Sequence, residues 1–253
     1  MLIETKALVL KRIPYGDTSV ICRLFTKEAG KISIVAKGAW KQKNAAGYIL
    51  EPINHVHINY YNKNTRNIQI LKNVEFVQHF SSLRNNLSRM ILAFSVIEII
   101  DHSTLENNPY PILYRLGWRV LDKINDNNQN CWFVFAFFLY QIVLRLGFML
   151  NLKNCTKCNR DVFQGGIDDY SGEIVCATCV PQSKIKINKN GCIFLKQLSE
   201  LHLDNLNTIS ISKSDIIDSI YFLESFILFH IDGLKRVRSM GVLRKLLNSS
   251  IKL

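Results

Sequence analysis

Four cysteines stand in two Cys-x-x-Cys pairs, Cys155/Cys158 and Cys176/Cys179, with seventeen residues between the pairs. A two-residue gap lets both sulfurs of a pair face one ion, and a loop of this length can return as a short hairpin that delivers the second pair. The intervening residues suit that hairpin, with Gly165-Gly166 early and Asp169-Tyr170-Ser171-Gly172 ahead of Glu173-Ile174-Val175. The spacing therefore predicts a zinc ribbon that holds one ion through Cys155, Cys158, Cys176 and Cys179. Four thiolates complete a tetrahedral shell and leave no position for water or substrate, so the expected role is structural.

Patterns for catalysis are missing. Asn154 and Val175 precede the cysteine pairs, and neither His-x-Glu nor His-Glu-x-x-His occurs, which argues against a zinc deaminase or a zinc protease. No Gly-x-x-x-x-Gly-Lys-Ser/Thr loop is present, so intrinsic ATP hydrolysis is not expected. His55 and His57 alternate on an expected strand and read as one face of it without a ligand role. Asp168-Asp169 beside Tyr170-Ser171-Gly172 reads as a turn rather than an acid/base pair. No nucleophile constellation is found, and the protein is not expected to be an enzyme.

Positive charge sits at both ends of the chain. The formal net charge is +12 over 253 residues. Residues 1–80 carry a net +7, residues 81–183 none, and residues 184–253 a net +5. The natural partner of such a distribution is a polyanion, because cations that neutralise phosphates release counterions whatever the base sequence. The alternative is a solvated basic surface. The hydrophobic share of 48% excludes general disorder. The start, Met1-Leu2-Ile3-Glu4-Thr5-Lys6, lacks an apolar signal core, so a reducing cytoplasm is expected, with the seven cysteines serving as thiols and metal ligands. The apolar segment 131–150 contains Gln141 and Arg145 and reads as a buried helix rather than a membrane span.

Two kinds of periodicity divide the chain. Strand-like runs occur at 7–13, 18–25, 31–36, 53–60 and 67–77, punctuated by turn residues, and suit a five-stranded barrel of the OB-fold type. Residues 1–80 are thus expected to form a nucleic-acid-binding domain, and residues 81–253 an α-helical domain with the ribbon inserted at about 153–181. In the barrel, Lys37, Lys41, Lys43, Lys63 and Arg66 are candidate phosphate contacts and Trp40 a candidate base-stacking residue, with Tyr15, Tyr60 and Tyr61 nearby in sequence. After residue 80 the period becomes helical: Leu83, Leu87, Met90, Ile91, Phe94 and Ile97 fall on one stripe of a long helix. A second helix is expected from about Pro109 towards Ile124, and a third from Cys131. Ser212-x-x-Asp215 reads as a capping box for a helix striped with Ile216, Ile220, Leu223, Ile227 and Ile231. The basic terminus, with Lys235, Arg236, Arg238, Arg244 and Lys245, is either a second nucleic-acid contact or a solvated helix end. Arg236 and Arg238 are its candidate DNA contacts.

Several stretches resemble one family. Ala7-Leu8-Val9-Leu10-Lys11, Tyr15-Gly16-Asp17-Thr18, Leu24-Phe25-Thr26-Lys27-Glu28-Ala29-Gly30-Lys31, Val35-Ala36-Lys37-Gly38-Ala39 and Glu51-Pro52 are similar to the bacterial RecO family of DNA repair and recombination mediators. The two cysteine pairs occur at the corresponding place, and Gly233 and Arg238-Ser239 are similar to its closing segment. Trp40-Lys41-Gln42-Lys43 replaces a stretch often richer in Arg. The resemblance implies an N-terminal OB-fold, a helical domain with a zinc ribbon, binding of single- and double-stranded DNA, and annealing of complementary strands. It also implies cooperation with RecR, contact with single-stranded DNA-binding protein, a functional link to RecA loading, and a cytoplasmic, nucleoid-associated location without a membrane. A nucleic-acid-modifying enzyme and a sequence-specific regulator with an accessory ribbon are the competing readings.

Overall fold

The computed structural model describes residues 1–41, 44–179, 185–231 and 234–250. Lys43 and Gly233 therefore lie outside the described residues. Five strands form a closed barrel: β1 (Leu2–Tyr15), β2 (Ser19–Thr26), β3 (Gly30–Ala36), β4 (His55–Tyr61) and β5 (Ile68–Gln78). Their order around it is β1-β2-β3-β5-β4, that of an OB-fold. β1 is long enough to serve two neighbours. Residues 2–8 pair with β4, residues 7–15 pair with β2, and the register shifts between Val9 and Lys11. β3 and β5 pair in parallel; the other pairings are antiparallel. The period-two pattern turns Leu24, Ile34, Val56, Ile58 and Tyr60 inward, where Leu50 joins them. Leu50 directly follows the short helix α1 (Ala46–Ile49).

The β2–β3 hairpin shows why its sequence is so specific. Thr26 Oγ1 accepts from the Ala29 amide at 3.0 Å and donates to the Gly30 carbonyl at 2.9 Å. Gly30 has φ +70°, and a Cβ there would lie 1.8 Å from the Asn108 carbonyl oxygen, so the position needs glycine on both counts. Lys31 is buried and donates to the Thr104 carbonyl at 2.7 Å, with Asp101 Oδ1 at 3.4 Å. A buried ammonium is tolerated only with such partners.

Residues 1–126 and the segment from Val237 onward form one compact unit. Within it, α2 (Ser81–Arg84), α3 (Leu87–Ser103) and α4 (Pro111–Asn125) follow the barrel strands, and α8 (Arg238–Ser250) packs against α3. The single long stripe expected from Leu83 onward is interrupted. Asn86 caps α3 by accepting from the Arg89 amide at 3.1 Å, which leaves Leu83 in α2. Leu87 and Phe94 are 53% and 38% exposed, whereas Leu92, Val96, Ile99 and Ile100 are fully buried. Because α3 meets β1, α4 and α8 on different sides, one stripe could not describe it. Glu98 of α3 accepts from the amides of Arg238 and Ser239 at 2.7 and 3.1 Å, so the first turn of α8 ends on a carboxylate.

Residues 127–236 form the second unit. α5 (Cys131–Arg145) begins at Asn130, whose side chain accepts from the Trp132 and Phe133 amides. It is buried on nearly every side, as the segment's apolar content predicts. Among the described residues no helix is long and apolar enough to cross a membrane. α7 (Lys213–His230) starts at Ser212 as expected: the Asp215 amide donates to Ser212 Oγ at 3.1 Å, and that hydroxyl donates to Asp215 Oδ2 at 2.7 Å. Ile216, Ile220, Leu223 and Ile227 are buried along it. Between α5 and α7 lie a three-stranded sheet and α6 (Lys189–Leu198), whose Phe194 ring meets Phe133 edge-on at 4.9 Å. The sheet has the order β7-β6-β8, from β6 (Gly165–Ile167), β7 (Ile174–Cys176) and β8 (Lys186–Ile187).

Candidate functional site

The sheet of the second unit gathers the four cysteines. Cys155 and Cys158 lie on a turn in which the Asn159 amide donates to the Cys155 carbonyl and the Cys155 amide to the Arg160 carbonyl, both at 2.8 Å. Asn159 supplies the left-handed backbone of that turn, with φ +57°. Cys176 ends β7, and Cys179 follows in a turn closed by its own amide on the Cys176 carbonyl at 3.0 Å. β6 approaches β7 so closely that a Cβ on Gly165 would sit 2.1 Å from the Val175 carbonyl oxygen. Thr156 Oγ1 donates to the Ile174 carbonyl at 3.3 Å and joins the first turn to β7. Asp168, buried beneath the hairpin tip, accepts from the Tyr170 and Ser171 amides at 3.0 and 3.1 Å and pairs with Lys157. Asp168 is a turn anchor, as its neighbours in sequence predict.

All four sulfurs lie within 4.8 Å of one another, and Cys158 Sγ is 3.7 Å from Cys176 Sγ. A tetrahedral ion with metal–sulfur bonds of about 2.3 Å holds its sulfurs about 3.8 Å apart, so the cluster fits one such ion. The Nε–H of Arg160 donates to Cys158 Sγ at 3.3 Å and pulls that thiol down to about 6. Cys179 moves the other way, to about 12, chiefly through its hydrogen bond with Cys158. Four thiolates this close repel one another, and a cation held among them would let all four ionise together. Arg160, Lys157 and Thr156 were not singled out from the sequence; the signal was their place within or beside the first cysteine pair.

The barrel carries a different kind of site. A groove of about 700 Å³ is lined by Tyr15 and Ser19 at the β1–β2 turn, Val35, Lys37 and Lys41 at and after the end of β3, and Ile70 of β5. Trp40 stands between the two lysines in sequence and is 50% exposed. Its amide donates to the Thr18 carbonyl at 3.0 Å, which ties the segment to the β1–β2 turn. Arg12 of β1 lies over the indole ring, 4.7 Å from its centre, and also donates to the Gly47 carbonyl. Sequence reasoning missed Arg12, although a cation within the apolar run of β1 was its signal.

The remaining candidates are distributed more widely. Lys63 and Arg66 occupy the β4–β5 loop, which the buried Gln69 fastens: its Oε1 accepts from the Lys63 amide at 2.9 Å, and its Nε2 donates to the Arg66 carbonyl at 2.8 Å. Gln69 directly precedes Ile70 of the groove. Among the described residues, Lys37, Lys41, Lys63 and Arg66 enter no ion pair. Arg238 lies apart from the groove, on the rim of a cleft with Lys11, Arg23, Glu98 and His102. Arg236 is exposed at the end of the second unit. Tyr60 is buried in the barrel core and offers no face to a ligand, whereas Tyr61 is 47% exposed. His57 is 2.9 Å from Glu4 Oε1, and His55 is buried against Tyr114.

Comparison with known proteins gives this architecture a family. The chain is 36% identical over 124 residues to the DNA repair protein RecO of Salinibacter ruber, an alignment covering 49% of this chain and 48% of that protein. It is 30% identical over 155 residues to the DNA repair protein RecO of Prosthecochloris aestuarii, covering 61% and 59%. These two alignments span about half and three-fifths of the relatives' lengths. With the DNA repair protein RecO of Chloroherpeton thalassium the identity is 23% over 257 residues, covering 97% and 99%. Residues 1–80 match the family model for Recombination protein O N terminal, and residues 84–239 match that for Recombination protein O C terminal. With well over half its length matched, the chain belongs to the RecO family.

Proposed function

We propose that the protein is a DNA repair and recombination mediator that binds single- and double-stranded DNA and anneals complementary strands without covalent chemistry. The observation that carries this reading is the barrel groove, where Lys37 and Lys41, which enter no ion pair among the described residues, line one wall with Tyr15, while the half-exposed Trp40 lies between them in sequence. Cations of this kind take up phosphates, and open aromatic rings stack bases at about 1–3 kcal/mol each. In this reading residues 1–80 are the nucleic-acid-binding domain, with Lys43, Lys63 and Arg66 extending the phosphate track. Residues 81–253 form the helical domain, where Arg236 and Arg238 contribute further contacts. A protein that collects two strands and screens their repulsion accelerates pairing without fuel. Its partners are RecR and single-stranded DNA-binding protein, and its product is DNA on which RecA can load, in the cytoplasm at the nucleoid.

The cysteine cluster is assigned one zinc ion with a structural role. Four soft thiolates in a tetrahedral set suit zinc. When bound, the ion supplies folding energy to the sheet of β6, β7 and β8. The deciding experiment mixes complementary single strands with the protein in the absence of ATP, naked or coated with single-stranded DNA-binding protein. Accelerated annealing with covalently unchanged DNA is expected. Strand cleavage, base modification or an ATP requirement would move the assignment to an enzyme.

A further inference from the structure

A second set of aromatic rings lies outside the groove. Tyr48 of α1 meets Phe76 of β5 edge-on, with ring centres 5.7 Å apart at 75°, and Phe76 meets His79 at 5.4 Å and 73°. Tyr48 and His79 are also joined by a 3.0 Å hydrogen bond between Oη and Nε2. The rings brace one another yet stay open, Tyr48 being 53% and Phe76 37% exposed. Mutual packing of this kind fixes ring orientation before any ligand arrives, which lowers the ordering cost of binding.

Arg12 connects the cluster's backbone to Trp40. Arg12, which covers the Trp40 ring, donates to the carbonyl of Gly47, the residue before Tyr48. On the other side, Asn54 donates to the Tyr48 carbonyl at 3.3 Å and accepts from Arg84 at 3.4 Å. Arg12 thus links Trp40 to the backbone beside Tyr48, and Asn54 links that backbone to Arg84. Both guanidiniums face the one carboxylate of Glu51, at 3.7 and 2.9 Å, which offsets part of their charge.

We propose that Tyr48 and Phe76 form a second stacking subsite for single-stranded nucleic acid, which takes up bases of a strand running out of the groove past Trp40. The inference rests on the groove's own assignment to nucleic acid. Because neither ring carries a charge, the subsite adds affinity through base–ring contact rather than phosphate contact. Its contribution should be insensitive to salt.

The test titrates the full chain with thymidine oligonucleotides of about 6 and about 20 nucleotides at several salt concentrations, within and beyond the reach of one OB-fold. The Tyr48→Leu/Phe76→Leu variant keeps apolar bulk and removes the rings. It should bind the long oligonucleotide about tenfold more weakly, with an unchanged salt slope and parent-like binding of the short one. Tyr48→Leu alone, at an exposed site, should show a smaller loss of the same kind, and Tyr48→Phe should behave as the parent. Parent-like affinity of the leucine variants for the long strand would overturn the proposal, as would equal losses on both lengths. A Lys37→Ala/Lys41→Ala variant run alongside separates the two readings: if it bound both lengths like the parent, the groove assignment itself would fall.

Discussion

Arg12 of β1 holds its guanidinium carbon 4.7 Å from the centre of the Trp40 ring, so one face of this half-exposed indole already carries a cation. The contact limits the ring's rotation while half of the side chain stays open. A base that stacks there meets a ring fixed in place, with Lys37 and Lys41 at the neighbouring groove.

Replacing Trp40 with Ala should therefore weaken single-strand binding by about 1–3 kcal/mol while leaving the salt dependence nearly unchanged. Replacing Arg12 with Ala should weaken it too, by releasing the indole. If Arg12 also touches a phosphate, the log–log salt slope falls by about 0.7. Fluorescence titration at four salt concentrations separates the two effects. Parent-like affinity of Trp40→Ala at every salt would remove the indole from the interface.

The cysteine cluster gives a prediction in metal content. Purified without chelator, the protein should carry one zinc per chain by elemental analysis. Cys176→Ala, which removes a buried cysteine at the end of β7, should lose the ion and destabilise the sheet of β6, β7 and β8. Limited proteolysis should then cut within residues 155–179. A metal-free preparation with the parent's protease resistance would show that the four thiols need no ion.

Much of the cysteine cluster was legible because its members are local: two short-range pairs and turn residues between them dictate a hairpin whatever surrounds it. The barrel was legible for a similar reason, since alternation marks each strand and the turns mark its ends. Strand β1 was underestimated at its start because residues 2–6 owe their extension to pairing with β4, a partner some 55 residues away. The exposure of Leu87 and Phe94 and the burial of Tyr60 were not readable, because each depends on which elements pack around the residue. Pairing of β8 with β6 was also hidden, since a two-residue strand carries no period. Arg12 shows the limit for the candidate site: its contact with the Trp40 ring joins residues 28 positions apart, and no spacing encodes it.

Gly30 joins the family-like β2–β3 hairpin to the helical layer of its own unit. Alanine there would meet the Asn108 carbonyl and hold a left-handed backbone. The expected cost of Gly30→Ala is about 2–4 kcal/mol, combining strain with displacement of the residue 104–108 segment that also receives Lys31. Urea unfolding measures it. Gly16→Ala is the control: Gly16 shares a positive φ of 60° but has nothing within 4 Å of its Cβ position, so only the backbone cost of about 1 kcal/mol is expected. Equal losses in the two variants would mean that the Asn108 contact relaxes without cost.

The last prediction concerns pH. His55 of β4 is 4% exposed, its Nε2 is 2.7 Å from the Tyr114 hydroxyl, and its ring stacks on Trp118 at 5.8 Å. Its Nδ1 is buried without a hydrogen-bond partner among the described residues. Burial, helped by Lys6, therefore lowers its pKa from 6.5 to about 4. The unfolded chain takes up this proton as pH falls below about 6.5, whereas the native barrel resists it until about 4. The stabilisation is thus complete above pH 6.5 and is lost as pH falls towards 4, by up to roughly 3 kcal/mol for this one group. His55→Gln keeps a hydrogen-bonding partner for Tyr114 and cannot titrate. Its unfolding free energy should be lower than the parent's at pH 7.5, yet fall less steeply between pH 6.5 and 4.5. Parallel pH profiles for the two proteins would show that His55 is free to protonate in the folded barrel.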